Sequence, residues 1–474
     1  MLGIRRFQGP VPTVWLAPRL TLGVATLSCA VLFAVAGHAE TIGGALAKAY
    51  VNNPDINQQR AAVRAQDEGI PKAFAGFLPT VSAEADASLQ SLWVSKAHLQ
   101  DGYTFSQPRG YGLTVTQNVW NGNRTINSVR QADSAVLQAR EALRSTEQSV
   151  LSNAIQAYMD VLRDTAILAL NRSNVEVLQE QLRQTRDRFN VGEVTRTDVA
   201  QAESSLALAQ ATALTAQSTL QASIARYRQY IGDEPRSLSP VSPIIRPLPK
   251  SLSEAIAIGE VEHPSVVGAL HGVDAAELNV KINEGALYPT VGLTGNVSNN
   301  VDPLSLGRGA QTASASLMGQ VTVPIYQGGA EYASVRQAKE QLSQQQLQAD
   351  LARDQVRSNV VNFWGQNQNS VGILKADRAQ VQAAEVALEG VREEAKVGQR
   401  TTLDVLNAQQ TLLNARVQLV RDQHDQVVYS YLLLAAVGRL SIENLGIAVA
   451  AYDPRVHFDQ VKNKWFGLRT PDGK

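Results

Sequence analysis

Residues 189–199 read FNVGEVTRTDV, and residues 395–405 read AKVGQRTTLDV. The two stretches share a Val-Gly pair and an Asp-Val pair at the same spacing, and neither contains a nucleophile–base pair or a glycine-rich phosphate loop. Further segments match in the same order along the chain, and a fixed order of matching segments indicates an internal duplication. The other matched pairs are 41–56 with 251–266, 77–85 with 287–295, 118–124 with 324–330, and Gly232 with Gly438.

The duplication divides the chain into two copies. We predict that residues 40–236 form the first copy and residues 251–438 the second, joined by the Pro- and Ser-rich linker SLSPVSPIIRPLPK (237–250). Residues 439–474 follow as a carboxy-terminal tail. Residues 1–39 combine a positively charged flank, an apolar run and small residues before the expected cleavage site, a pattern typical of a secretory signal peptide.

Charge and cysteine content limit the possible functions. The chain has 43 Lys and Arg against 43 Asp and Glu, so no basic excess indicates nucleic-acid binding. Its single cysteine, Cys29, lies in the apolar run of the signal, where we expect removal with the signal; a lipid anchor is the alternative. The histidines lack metal-ligand spacing, and no group of acid, base and nucleophile is apparent. We therefore predict no enzyme, no cofactor and no metal site.

Each copy contains two segments in which apolar and polar residues alternate. In TVSAEADASLQ (80–90), Val81 and Ala83 fall on one side, and Glu84 and Asp86 fall on the other. A period of two is typical of a strand with one apolar and one wet face. The predicted strands cover about 79–93, 110–120, 289–300 and 312–326.

The strands of each copy are followed by a very long helical pattern. Between Asn123 and Phe189 there is no proline and no glycine, and apolar residues recur every seven positions with one four-residue stutter at Val150–Ala154. This pattern predicts a coiled coil on the order of 100 Å long. The predicted long helices are 123–189 and 329–395, the return helices are 197–231 and 403–437, and shorter helices at 41–74 and 251–284 should stack end to end with the return helices.

Four strands with one apolar face cannot close a membrane barrel by themselves. The smallest such barrels have about eight strands, and lipid does not tolerate an open sheet edge. Four strands per chain therefore predict an oligomer, with two chains giving eight strands and three giving twelve. A soluble periplasmic β-domain on a coiled-coil stalk remains the alternative on these strands alone.

The chain resembles the TolC family of outer-membrane export ducts over essentially its whole mature length. The resemblance lies in the LPT and YPT strand entries, the VWNGNR and PIYQGGA joints, and the Val-Gly turns followed by TDV and LDV. The segment YDPRVHFDQVKNKWFGL (452–468) is similar to the ending of the branch that serves type I secretion. The resemblance implies a homotrimer in outer-membrane lipid, with one shared twelve-stranded β-barrel continued by an α-helical periplasmic tunnel. It also implies a periplasmic adaptor and an inner-membrane ABC or proton-driven pump as partners.

The two Val-Gly turns form the first candidate site. Gly192 and Gly398 stand where a long helix ends, and glycine is the usual residue at such a carboxy-terminal cap. The resemblance implies that these turns form the periplasmic tip that meets the adaptor. The predicted contact residues are Val191, Gly192, Thr195, Val397, Gly398 and Thr401.

A tunnel-entrance gate is the second candidate site. Asp198 and Asp404 each follow a Thr at the spacing of a helix capping box. The resemblance implies that Asp198, Arg400, Asp404 and Asn407 occupy gate positions, with a link between Asp198 and Arg400. Threefold symmetry would turn Asp404 into a ring of three carboxylates, which favours cations.

Two positions depart from the family pattern at this gate. A second acid expected one turn after Asp404 is Asn407, and a Tyr expected before the second turn is Ala395. The entrance should therefore carry less negative charge and fewer constraints than in relatives with both residues.

Trp120 and Tyr326 end their predicted strands at matched positions. They are candidate interfacial anchors, and packing where the barrel meets the helices is the alternative. The leading prediction is a passive outer-membrane conduit for type I protein secretion, with or without small-molecule efflux. The alternatives are a drug-efflux duct alone and, from another class, a periplasmic coiled-coil adaptor or a structural stalk.

Overall fold

The computed structural model describes residues 39–96, 99–244, 246–303, 309–471 and 473. Apart from Ala39, the predicted signal peptide lies outside these residues, and so does Cys29. Within the described ranges, no helix has both the length and the apolar character needed to span a membrane.

The first copy begins with short helices and ends with a helical hairpin. Asn53 caps the second short helix, because its side chain accepts a hydrogen bond from the Asp55 N–H at 2.9 Å and Pro54 occupies the first helical position. The helices are α1 (Ile42–Asn52), α2 (Pro54–Asp67), α3 (Gly69–Phe74), α4 (Arg124–Asn190) and α5 (Arg196–Ile231), with a 3₁₀ turn at Ala75–Phe77 after α3.

The second copy repeats this order. Its helices are α6 (Leu252–Glu262), α7 (Pro264–Glu284), α8 (Ala330–Lys396) and α9 (Thr402–Ala436), with a 3₁₀ turn at Gly285–Leu287. A further helix, α10 (Pro454–Val461), lies in the tail and was not predicted from the sequence. The long helices α4 and α8 have 67 residues each.

Six strands are present in the described residues. They are β1 (Thr80–Ala87), β2 (Gln90–Lys96), β3 (Leu99–Ser106), β4 (Arg109–Trp120), β5 (Thr290–Val301) and β6 (Gln311–Thr322). The first, fourth, fifth and sixth form one antiparallel sheet in the order β1-β4-β5-β6, and β2 pairs with β3 in a separate two-stranded sheet.

Two strand predictions need correction. The single strand predicted over about 79–93 is interrupted after Ala87, and the chain that follows forms the β2–β3 hairpin where a polar loop was expected. The strand predicted to reach 326 ends at Thr322, because Pro324 has no N–H to continue the ladder. Tyr326 therefore lies in the connection to α8 and outside the strand.

The register of the main sheet separates apolar from polar residues. One cross-strand row joins Ala83, Leu113, Val297 and Ala315, and the neighbouring row joins Ser82, Thr114, Asn296 and Ser316. In the polar row the Asn296 side-chain amide donates to the Thr114 hydroxyl at 3.0 Å. The sheet thus has one face suited to lipid and one suited to water, as the alternation predicted.

The main core surrounds the middle of α4. Val150 and Ala154, which flank the predicted stutter, are both buried. The Tyr158 hydroxyl lies 2.6 Å from the Glu40 carbonyl oxygen and 2.8 Å from that of Ser239, so it ties the linker to the first copy. Fully buried side chains from both copies complete this core, among them Leu46, Leu151, Ile155, Tyr227 and Leu434.

The return helices meet the short helices end to end, as expected. At the end of α5, Lys48 pairs with Asp233 at 2.8 Å and the Asn53 side chain donates to the Tyr230 carbonyl at 3.1 Å. At the end of α9, Arg439 forms a two-pronged pair with Glu262 at 2.7 Å. Each copy therefore holds a continuous helical column beside its long helix.

Candidate functional site

Both hairpin tips are closed by glycine in the left-handed conformation. Gly192 has φ +81° and Gly398 has φ +77°. Their N–H groups donate to the carbonyls of Phe189 at 3.0 Å and Ala395 at 3.2 Å, which satisfies the last turn of each long helix. Residues with a side chain rarely adopt this conformation, so the tips require glycine at these positions.

An exposed valine precedes each tip glycine. Val191 and Val397 are each 71% exposed. Among the described residues, neither valine belongs to a buried core cluster. Two apolar side chains held at the extreme ends of polar hairpins are therefore available to contact another protein.

The return helices begin with the capping boxes that the sequence predicted. In the first copy the Thr195 N–H and hydroxyl donate to the Asp198 carboxylate at 2.9 and 2.7 Å, and the Asp198 N–H donates to the Thr195 hydroxyl at 3.2 Å. In the second copy Thr401 and Asp404 make the same bonds at 2.9, 2.8 and 3.2 Å. The two boxes are superposable in geometry.

These hydrogen bonds keep both aspartates ionised. The side chain of Thr195 holds the pKa of the Asp198 carboxyl below its ordinary value, and the Thr401 backbone N–H does the same for the pKa of Asp404. Each carboxylate also faces the positive end of a helix dipole. Both aspartates are thus fixed negative charges just beyond the tips.

The expected ion pair between Asp198 and Arg400 is not made within the chain. Arg400 Nε donates to Glu394 at 2.7 Å, and the Asp198 carboxylate is occupied by Thr195. Arg188 of the first copy is matched to Glu394 and carries the opposite charge. Arg188 pairs with Glu193 at 3.0 Å. Within one chain Arg400 therefore pairs with a carboxylate of the preceding helix, and its link to Asp198 stays a prediction for the assembled gate.

The start of α9 lies against the first hairpin. Leu406 is buried with Leu178 and Ala209, which belong to α4 and α5. One turn later the Gln409 side chain donates to Asn174 at 3.4 Å. This contact fixes Asp404, two residues before Leu406, at the junction of the two hairpins.

The two positions that depart from the family pattern make few restraining contacts. Asn407 is exposed, and its backbone carbonyl accepts from the Thr411 hydroxyl at 2.9 Å. Ala395 offers its carbonyl to Gly398 and has no polar side chain. Among the residues that the structure describes, neither makes a side-chain hydrogen bond between the hairpins.

The predicted interfacial aromatics differ in their surroundings. Trp120 ends β4, its Nε1 donates to the Asn123 side chain at 3.3 Å, and its ring lies 6.5 Å from that of Tyr288. Tyr326 is 78% exposed. Trp120 therefore packs at the joint between sheet and helices, whereas Tyr326 is exposed in the corresponding connection of the second copy, between β6 and α8.

A charged groove of about 620 Å³ lies between α4 and α8 near the tips. Both acidic and basic side chains line it, and its apolar residues are few. The charged residues that line it are Glu176, Glu180, Arg188, Glu389, Arg392, Glu393 and Lys396.

A pair of carboxyl groups between α8 and α9 was not predicted from the sequence: Asp377 is buried and Asp422 is half-buried. Asp377 is 8% exposed and one of its oxygens has no hydrogen-bond donor, while Asp422 accepts from Gln418 at 2.8 Å. Burial, together with the hydrogen bond and charge of Asp422, raises the pKa of Asp377 to about 6. The matched residue of the first copy is Asn171, which is also buried and donates to the Ile167 carbonyl at 2.9 Å.

Replacing Asp377 with Asn should stabilise the protein at neutral pH. The folded chain holds this proton more tightly than the unfolded chain, so wild-type stability should fall as pH rises from the ordinary pKa of 3.8 to about 6. Asn removes the ionisation and can donate to Asp422. Thermal unfolding between pH 4 and about 7 should show a flatter profile for the variant.

The matched control for this prediction is Asp354→Asn, which removes an exposed carboxylate from the same helix. It should leave the pH profile of unfolding as in the wild type. A lower unfolding temperature for Asp377→Asn than for the wild type at pH 7 would contradict the expected direction.

A family model described as "Outer membrane efflux protein" matches residues 45–233 and 259–439. The chain belongs to the outer membrane efflux protein family. The two matched blocks correspond to the two copies, each running from the short helices to the end of a return helix. Across the described residues, no group of three or more His, Cys, Asp or Glu side chains is placed to hold a metal ion.

Named relatives support this membership. The outer membrane efflux protein BepC of Brucella suis is 42% identical over 457 residues, which cover 96% of this chain and 98% of BepC. The outer membrane protein TolC of Escherichia coli is 25% identical over 87% of this chain and 85% of TolC. The alkaline protease secretion protein AprF of Pseudomonas aeruginosa is 24% identical over 68% of each chain.

A solved structure supports the fold. The outer membrane protein VceC of Vibrio cholerae superposes with a TM-score of 0.73 at 17% identity, over 84% of this chain and 96% of VceC. The fold class predicted from the sequence is confirmed: membrane strands from a duplicated chain are continued by long α-helical hairpins. This outer membrane efflux protein is thus a channel of the outer membrane that extends into the periplasm.

Proposed function

We propose that the protein is the homotrimeric exit duct of a tripartite export system, which carries type I secreted proteins and small molecules out of the cell. The observation that carries the proposal is the four-stranded sheet with two unpaired edges, set on helical hairpins. Such a sheet is incomplete alone, and the hairpins are long enough to cross the periplasm.

The open edges support closure by copies of the same chain. In the described part of the chain, the order β1-β4-β5-β6 with every neighbour antiparallel leaves one edge of β1 and one edge of β6 unpaired, and these two strands run in opposite directions. The β6 strand of one protomer can therefore pair antiparallel with β1 of the next. Three protomers give a barrel of about twelve strands with no edge in lipid.

The hairpins support docking to partners in the periplasm. Each 67-residue helix spans about 100 Å from the sheet to its tip. Exposed Val191 and Val397, with Gly192, Gly398, Thr195 and Thr401, form the contact for a periplasmic adaptor, and the charged groove between α4 and α8 widens that surface. An inner-membrane pump supplies the energy, since the chain carries no nucleotide-binding motif.

The gate lies at the junction of the hairpins. Asp198 and Asp404 are fixed negative charges, and Arg400 is held by Glu394 within its own hairpin. With Asn407 and Ala395 contributing no side-chain hydrogen bond between the hairpins, the entrance opens with little resistance once the adaptor has docked.

Deleting the gene should abolish secretion of type I substrates and raise drug sensitivity together. The two kinds of cargo are suggested by the printed names of the relatives, an efflux protein and a protease secretion protein. Secreted proteins in the medium and growth-inhibitory drug concentrations measure the two effects, and a plasmid copy of the gene is the control. Unchanged secretion with lost drug resistance would favour the efflux-only function, and recovery of a soluble periplasmic monomer would favour the adaptor or stalk.

A further inference from the structure

The segment KNKWFGLR, Lys462–Arg469, exposes three large apolar side chains; we call it the tail loop. Trp465 is 70% exposed, Phe466 is 89% exposed and Leu468 is 101% exposed. Val461, directly before the loop, is fully buried. Three adjacent apolar side chains that the chain does not cover mark a surface for another partner.

The base of the tail loop is anchored to the first copy. The ring of His457 lies 2.9 Å from the Asp67 carboxylate, and both side chains are buried. The Arg140 guanidinium stacks over the Phe458 ring at 5.1 Å, and the Tyr50 hydroxyl accepts from the Tyr452 N–H at 3.0 Å. Helix α10 is therefore fixed on α2 and α4.

The tail runs towards the membrane end of the molecule. The Tyr452 ring lies beside Arg60 in the middle of α2, 5.1 Å from its guanidinium. His457 lies beside Asp67, at the carboxy-terminal end of α2. Because α2 leads from Arg60 through Asp67 to the first strand, α10 advances towards the sheet. At ~1.5 Å per residue, Arg140 lies about 24 Å along α4 from the point where β4 joins it.

The tail loop can reach the edge of the membrane from this anchor. In the structure the loop is folded back by the contact between Lys464 and the Arg469 carbonyl. Opened to an extended chain, which advances ~3.3 Å per residue, the residues from Val461 to Leu468 would span about 23 Å. That reach would bring the apolar side chains to the joint at Trp120 and Arg124, where the strands end. Strands of 12 residues such as β5 are long enough to cross the bilayer, so this joint marks its periplasmic surface.

The chemistry of the tail loop matches a lipid surface. Trp465 and Phe466 are suited to the interface between headgroups and acyl chains. The loop carries three cations, Lys462, Lys464 and Arg469, and no acid. Lys462 pairs with Asp459 at 2.7 Å, and the Lys464 ammonium donates to the Arg469 carbonyl, which closes the loop.

We propose that the tail loop binds the periplasmic surface of the outer membrane. Trp465, Phe466 and Leu468 insert between headgroups, while Lys464 and Arg469 contact anionic phospholipid. Positive charge close to such a surface adds electrostatic attraction to anionic headgroups. In a trimer, three tail loops would then attach the part of the helical tunnel nearest the sheet to the membrane surface.

A spin label tests this contact in the full mature protein reconstituted in lipid discs of phosphatidylethanolamine and phosphatidylglycerol. Cys29 is the single cysteine of the sequence and lies in the predicted signal, so Phe466→Cys provides one labelling site and leaves Trp465 and Leu468 in place. The label at 466 should be several-fold more accessible to oxygen than to a water-soluble nickel chelate. Discs without phosphatidylglycerol should reduce this contrast.

The matched control is Val456→Cys, which places the same label on α10 at a residue that is 56% exposed and further from the sheet. This label should be accessible to the nickel chelate in both kinds of disc. Free access of the nickel chelate to position 466 would overturn the proposal. A label at 466 that is immobile and shielded from both reagents would overturn it in favour of a neighbouring protomer as the occupant.

Discussion

Gly438→Ala should destabilise the protein by about 2–5 kcal/mol, whereas Gly232→Ala should cost about 1–2 kcal/mol. Both glycines follow a return helix in the left-handed conformation, with φ +83° and +92°, so both variants incur the same backbone strain. Their surroundings differ. A Cβ at 438 would lie 2.6 Å from the Cα of His263 and 3.1 Å from the Glu262 carbonyl oxygen, whereas the atom found near a Cβ at 232 is the Asn52 Cβ at 4.0 Å.

The backbone around His263 has little freedom to yield. His263 caps α7 and donates its own N–H to the Gly259 carbonyl at 3.2 Å, while Glu262 is held by Arg439. Thermal unfolding of the purified protein, with the two variants side by side, measures the difference. Equal losses for the two variants would show that the contact with His263 contributes nothing beyond the backbone strain.

Much of the fold could be predicted because the same local sequence patterns occur in both copies. The apolar heptads, the stutter at Val150–Ala154 and the alternation in the strands are local patterns, and each recurs in the second copy. The β2–β3 hairpin could not be predicted, because the alternation runs on from β1 and the break after Ala87 depends on pairing with β4. Helix α10 is short, and it is held by contacts to Asp67 and Arg140 that are remote in sequence.

The candidate site shows the same division between local and remote interactions. The capping boxes at Thr195 and Thr401 follow from residues three apart, and the structure contains both. The partner of Arg400 depended on how the turn folds back, which the sequence does not specify. His424, which suggested no role in the sequence, lies 3.1 Å from Asp160 of the other copy and 2.8 Å from Asp425.

The copies share a backbone plan and differ in the charges placed on it. Arg188 of the first tip corresponds to Glu394 of the second, and buried Asn171 corresponds to buried Asp377. A duplicated hairpin in a trimer would give six similar tips. These charge differences make alternate tips distinct, so an adaptor can distinguish the two hairpins of one protomer.

Asp404→Asn should weaken block of the channel by divalent cations by at least about tenfold. In the proposed gate a trimer places three Asp404 carboxylates around one opening, and the variant removes all three of the charges that attract a divalent cation there. Single-channel currents across a planar bilayer, recorded with increasing divalent cation, measure the block.

Asp198→Asn is the control that distinguishes the loss of carboxylate charge at the opening from the loss of the helix cap. It removes the same capping carboxylate from the first copy, where the bonds from Thr195 match those from Thr401. An effect common to both variants therefore reports the loss of the capping box. The excess in Asp404→Asn reports the carboxylate ring, because only α9 is fixed against the first hairpin through Leu406. Equal block in Asp404→Asn and the wild type would place the constriction elsewhere along the tunnel.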